Sequence, residues 1–108
     1  MQFNEYQQLA RETAVYPQET ALAYTTLGLC SEAGEVADKL KKVIRDGGGN
    51  TDSEFYNSVA KELGDVLWYI ANIAHEIGYD MNTVAEMNYQ KLKDRQDRNK
   101  LGGSGDER

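Results

Sequence analysis

A chain of 108 residues can build one domain with a single modest core, but not two domains. Hydrophobic residues make up 40% and charged residues 28%, a balance that excludes a wholly disordered chain. The formal net charge of −6 excludes a binder that gains its affinity for DNA or RNA by neutralising phosphates with Lys and Arg. An acidic chain can still hold phosphates if it first holds cations.

Apolar periodicity predicts four helices, at about 3–14, 20–45, 53–77 and 82–98, in an all-α, four-helix-type bundle. The opening "MQFNEYQQLARE" lacks the apolar core of a signal peptide, and no apolar run is long enough to span a membrane, so a cytoplasmic protein is expected. The first helix spaces Phe3, Tyr6, Leu9 and Ala10 on one side and stops before Pro17, the only proline. The second carries Leu22, Thr26, Leu29, Ala33, Val36, Leu40 and Val43 as one seam and ends at the glycines of "RDGGGN". Its single Cys30 cannot form an intrachain disulfide and is expected to be a small buried hydrophobe. The third helix starts after Asp52 or Ser53, buries Val59, Leu63, Val66, Ile70, Ile73 and Ile77, and ends at Gly78. The fourth has Asn82 as its N-cap candidate. Residues 1–98 form the domain and the Gly-rich residues 99–108 a flexible tail. The core is small, so apolar stripes shared with a second copy are expected.

Two acid pairs stand out, Glu32 with Glu35 and Glu62 with Asp65, each at i, i+3 spacing. Such pairs repel on a helix. They are either a solvated face or halves of a cation site. On the third helix, Glu62, Asp65, Tyr69, Asn72 and Glu76 share a stripe about 80° wide that borders the apolar face. On the second helix, periodicity leaves Glu35 in water. If that side nevertheless faces the third helix, four carboxylates converge and require a cation, for which Mg²⁺ is suited by its preference for oxygen. Gly28 and Gly34 would permit close approach there.

The fourth helix starts an apolar face with Met81, Val84 and Ala85 and continues it with Asn88, Lys91 and Arg95. Basic groups on an inward stripe need an anion, either the acid cluster or a ligand phosphate. Lys39 and Lys42, near Glu35, are secondary candidates. A lone His75 excludes His-based zinc and di-iron sites, and "DGGGN" lacks the Gly-Lys-Ser/Thr ending of a P-loop.

"EAGE" at 32–35 and "ELGD" at 62–65, with residues 36–61 between them, resemble the Glu-x-x-Glu and Glu-x-x-Asp signature of the MazG-like all-α nucleoside triphosphate pyrophosphohydrolases. "LGLCSEAGEVADKLKK" and "AKELGDVLWYIANIA" are similar to that family's flanks, and "MNYQKLKDR" resembles its later element at Asn88, Lys91 and Arg95. The resemblance spans about Leu22 to Arg98. It implies hydrolysis of a (d)NTP to the (d)NMP and pyrophosphate in nucleotide-pool house-cleaning, with Glu32, Glu35, Glu62 and Asp65 binding Mg²⁺, or Mn²⁺ in its place. Glu35 would orient or deprotonate the attacking water. Asn88, Lys91 and Arg95 would contact phosphates or sugar, Tyr69 would stack on the base, and Asn72 would offer it a polar contact. Trp68 faces another direction and is read as packing or a subunit contact. A homodimer or homotetramer is implied, with no nucleic-acid polymer or membrane as partner. A phosphoribosyl-ATP pyrophosphohydrolase and a non-enzymatic helical interaction module are the alternative readings.

Overall fold

The computed structural model describes residues 1–108 and is all helical. Helix α1 spans Phe3–Arg11, a 3-10 turn covers Gln18–Thr20, and α2 (Ala21–Gly47), α3 (Ser53–Glu76) and α4 (Met81–Asp97) follow. None is long and apolar enough to cross a membrane.

Local chemistry sets the ends of these helices. Helix α1 stops three residues short of the expected Ala14, because the amides of Thr13 and Ala14 bond three residues back, to Ala10 and Arg11, and the Thr13 hydroxyl donates to the Ala10 carbonyl. Gly48 ends α2 with φ +67°, a left-handed conformation that costs glycine little. Asp52 is the N-cap of α3, its carboxylate accepting from the Phe55 amide at 2.8 Å. Asp80, not Asn82, caps α4. Its carboxylate accepts from the Thr83 amide at 2.7 Å, whereas the Asn82 amide donates to Asn4 Oδ1 at 2.9 Å.

Helices α2 and α3 form a long antiparallel hairpin, joined across its width by Gly28 against Tyr69 and Lys39 against Glu62. Helix α1 lies across the second half of α3, while α4 packs on α1 and α3 and its backbone stays away from α2, with Leu29 and Val84 facing one small apolar cavity. The small core is Ala10, Ala71 and Met81, with Tyr6, Leu67, Trp68 and Ile70 packed on it. Gln7 clasps its edge: Nε2 donates to the carbonyls of Ala71 (3.2 Å) and Tyr79 (3.0 Å), and Oε1 accepts from the Met81 amide at 3.1 Å.

The expected seams are only partly covered. On α2 the fully buried residues are Ala21 and Thr25, while Leu22, Thr26, Ala33 and Leu40 are exposed. On α3 they are Ala71, Asn72 and Ala74, while Leu63 and Ile77 are exposed and Val59, Val66, Ile70 and Ile73 half-buried. Cys30, expected inside, is exposed. The cause is geometric: α1 and α4 cover one end of the hairpin, and no third layer reaches Leu27, Leu40, Ile44 or Leu63. The radius of gyration is 16.9 Å, against about 13 Å for a compact domain of this length.

Candidate active site

The hairpin brings Glu32 of α2 against Glu62 and Asp65 of α3, and one carboxylate oxygen from each lies within 4.8 Å of the others. Glu32 and Glu62 are half-buried and Asp65 is exposed. Lys39 reaches across from α2, its Nζ 3.7 Å from Glu62 Oε1. The other oxygen, Glu62 Oε2, is buried with no hydrogen-bond partner. Burial pushes the Glu32 carboxyl above its ordinary value, helped by the close approach of the Glu62 carboxyl and by the charges of Asp65 and Glu35. Three of the four expected acids therefore converge. Glu35, one turn further along α2, is exposed and contributes its field without joining the trio.

A cleft of about 490 Å³ opens beside these carboxylates, lined by Tyr6, Thr13, Glu32, Gly64, Asp65, Trp68 and Tyr69. Tyr69 is seated in a notch, since a Cβ added to Gly28 would overlap its ring. Desolvation raises the Tyr69 phenol above its ordinary range, as do the neighbouring Tyr24 and Glu32. Trp68 also lines the cleft, contrary to the direction read from the helical wheel. Its indole N–H donates to Thr13 Oγ1 at 2.8 Å, and its ring stands perpendicular to Tyr69 with centroids 5.0 Å apart.

Asn72 is fully buried, and so closed to a base. Its Oδ1 accepts from Arg11 Nη1 at 3.0 Å and its Nδ2 donates to the Trp68 carbonyl at 3.0 Å. Arg11 also donates to the Tyr16 hydroxyl at 2.6 Å and lies 3.6 Å from Glu76, so this polar node ties α1 to α3. The basic element of α4 does not line the acidic cleft. Asn88 and Lys91 instead border a groove with Ile77, Tyr79, Val84 and Met87. Arg95 is buried beneath the chain's own tail, donating to the Asp106 carbonyl at 2.6 Å, and Lys91 Nζ and Arg95 Nη2 lie 3.2 and 3.5 Å from Asp106 Oδ1. These two cations hold the Asp106 carboxyl below its ordinary range.

The family model for the MazG nucleotide pyrophosphohydrolase domain matches residues 19–99. The chain belongs to this MazG family. The matched segment takes in α2, α3 and α4, and with them all three converging carboxylates and the basic element. The "Gene 37 protein" of Mycobacterium phage L5 is 41% identical over a 114-residue alignment that covers the whole of both chains. No solved structure matches. Tyr6 and Thr13 of the cleft lie on the segment before the MazG match. Periodicity marks Tyr6 only as part of the apolar side of α1 and does not mark Thr13, because both reach the cleft through the docking of α1 on α3.

Proposed function

We propose that the cleft is the active site of a Mg²⁺-dependent pyrophosphohydrolase that converts a (d)NTP and water to the (d)NMP and pyrophosphate, clearing unwanted nucleotides from the pool. The observation that carries this reading is the buried, unpartnered oxygen of Glu62 beside two further carboxylates. An orphaned anionic oxygen is costly unless something positive meets it. Three hard oxygen donors at this spacing fit Mg²⁺, with Mn²⁺ as substitute.

Glu32, Glu62 and Asp65 would hold the ion. A hard cation there supplies charge neutralisation for the triphosphate and activation of the attacking water. Glu35, exposed one turn away, would orient that water and take its proton as the oxygen adds to phosphorus and the bridging P–O bond breaks. Lys39 would keep Glu62 turned toward the other acids. Tyr69, fixed by Gly28, would form the wall beside the sugar and base.

Asn88, Lys91 and Arg95 would contact phosphates or sugar, Lys91 and Arg95 exchanging the Asp106 carboxylate for a phosphate. Since Asn88, Lys91 and Arg95 do not line the cleft of their own chain, we place this element over the cleft of a second copy, in a homodimer or homotetramer. The exposed Leu27, Leu40, Ile44 and Leu63 and the open shape support that assembly.

The test is pyrophosphate release from a panel of NTPs and dNTPs, with Mg²⁺ and with EDTA. The expected result is Mg²⁺-dependent release by the wild type, abolished in Asp65→Asn with folding retained. Folded protein that releases no pyrophosphate from any nucleotide would overturn the proposal.

A further inference from the structure

We infer that Trp68, braced by Thr13, is the stacking surface for the nucleobase, and that the pocket therefore accepts bases broadly, with purines bound more tightly than pyrimidines. This rests on the reading of the cleft as a nucleotide site. Trp68 follows Asp65 by three residues on α3, so it lies beside the carboxylates, and Gly64, also lining the cleft, adds no side chain to it. With metal and triphosphate held at the acidic end, the end formed by Tyr6, Thr13 and Trp68 is left for the base.

Two observations favour Trp68 over Tyr69 as the stacking partner. First, the Tyr69 ring is wedged against α2 at Gly28, so part of its surface is used in holding the hairpin together. Second, Trp68 borders the open cleft and takes part in no parallel stack: Tyr69 and Tyr16 stand at 86° and 90° to it, with centroids 5.0 and 6.3 Å away. The parallel stack in this region is Tyr16 on Tyr24 and leaves Trp68 out. The indole plane is also locked. Its N–H is spent on Thr13 Oγ1 at 2.8 Å, and the Thr13 hydroxyl proton is spent on the Ala10 carbonyl at 3.2 Å.

That locking decides specificity. The indole and Thr13 donors are already committed and Tyr6 adds a single hydroxyl, so the pocket offers an aromatic face and little to read a base edge. Stacking accepts every base and grows with ring area.

Trp68 is the only tryptophan, so its fluorescence reports on this contact alone. The experiment titrates the intact protein, in Mg²⁺, with non-hydrolysable α,β-imido analogues of dATP and dCTP, and measures kcat and KM for the hydrolysed nucleotides. Saturable quenching by both analogues is expected, tighter for dATP. Trp68→Leu should raise KM on the order of ten- to a hundredfold with kcat little changed. Trp68→Phe should restore most of the affinity, and Thr13→Val, which frees the indole, should raise KM more modestly. Calorimetric binding of the analogue without any change in Trp68 fluorescence would overturn the inference, as would an unchanged KM in Trp68→Phe and Trp68→Leu or tighter binding of dCTP. In those cases the wild type still releases pyrophosphate and the proposed function stands. If the wild type hydrolyses nothing and binds no analogue, both fall.

Discussion

Replacing Glu32 by Gln should stabilise the metal-free protein while destroying its response to Mg²⁺. The carboxylate oxygens of Glu32, Glu62 and Asp65 lie within 4.8 Å of one another, where two unit charges repel by about 1 kcal/mol in water and about 3.5 kcal/mol at an effective dielectric of about 20. The site opens on solvent, so the lower figure applies. Glutamine at 32 removes two such repulsions, at most about 2 kcal/mol, and rearrangement of the solvated side chains brings the net gain nearer 1 kcal/mol. For a domain of this size that is a rise in Tm of about 4–8 °C in EDTA. Mg²⁺ at about 100 times its dissociation constant adds about 2.7 kcal/mol to the wild type, and the variant should lose most of that increment. The gain has a pH signature. The folded-state Glu32 carboxyl titrates above its ordinary value of 4.5, so its contribution to stability is fully present below that value and is lost as pH rises through the raised one. The gap between variant and wild type should widen as pH rises through the raised titration of Glu32, and close when Mg²⁺ is added. Thermal melts in EDTA and in Mg²⁺ at several pH values provide the assay. A Glu32→Gln protein that melts lower than wild type in EDTA at pH 7.5, or one whose Mg²⁺-induced shift is intact, would refute the reasoning.

Two further expectations come from the scaffold. Gln7→Ala deletes three hydrogen bonds, two of them buried, at the junction of α1, α3 and α4 and should cost about 2–4 kcal/mol, read as a lower urea midpoint with the m-value retained. Gly28→Ala gains about 1 kcal/mol of helix propensity but drives the Tyr69 ring from its notch, an overpacking of about 1–3 kcal/mol. The expected outcome is a Tm lowered by a few degrees together with a raised KM for nucleotide, and an unchanged KM would show that Tyr69 does not shape the cleft.

The helices were legible because periodicity and caps are local. Asp52 was readable as an N-cap and the glycine cluster after Asp46 as a stop, since each acts within four residues of its own position. The acid pairs were legible for the same reason, being a turn apart on one helix. What escaped depends on a third element. Gln7, Thr25, Asn72 and Arg95 are four of the nine buried residues; polarity alone sends all four to the surface, and the α4 stripe turns only Arg95 inward, without naming the tail that meets it. Each is inside because a partner from elsewhere meets its polar atoms, such as Arg11 for Asn72 or the tail carbonyls for Arg95, except Thr25, whose hydroxyl donates to the Ala21 carbonyl of its own helix at 2.8 Å. Trp68 was misdirected because a helical wheel describes one cylinder, whereas α1 crosses α3 and turns that side of the helix into a cleft wall. The apolar seams were right in composition and too wide for one chain to cover, so Leu40 and Leu63 lie open.

The glycines of the hairpin divide by the same geometry. Each costs its helix about 1 kcal/mol relative to alanine, and both neighbours of the acid cluster, Gly34 and Gly64, stand in open space. Close approach of the two helices, expected at both Gly28 and Gly34, is needed only at Gly28, where the Tyr69 ring fills the missing side chain. Gly64 lines the cleft, so a methyl group there would take up room in it. Nothing in the structure explains Gly34. Tyr69, pinned at Gly28, and Trp68, lining the cleft with Gly64, sit on successive residues of α3 and meet at right angles. Losing Gly28 moves the wall of the cleft, while losing Gly64 narrows the cleft and leaves the wall in place. The two losses are distinguishable: alanine at 28 should disturb stability and affinity together, and alanine at 64 should raise stability by up to about 1 kcal/mol while weakening nucleotide binding.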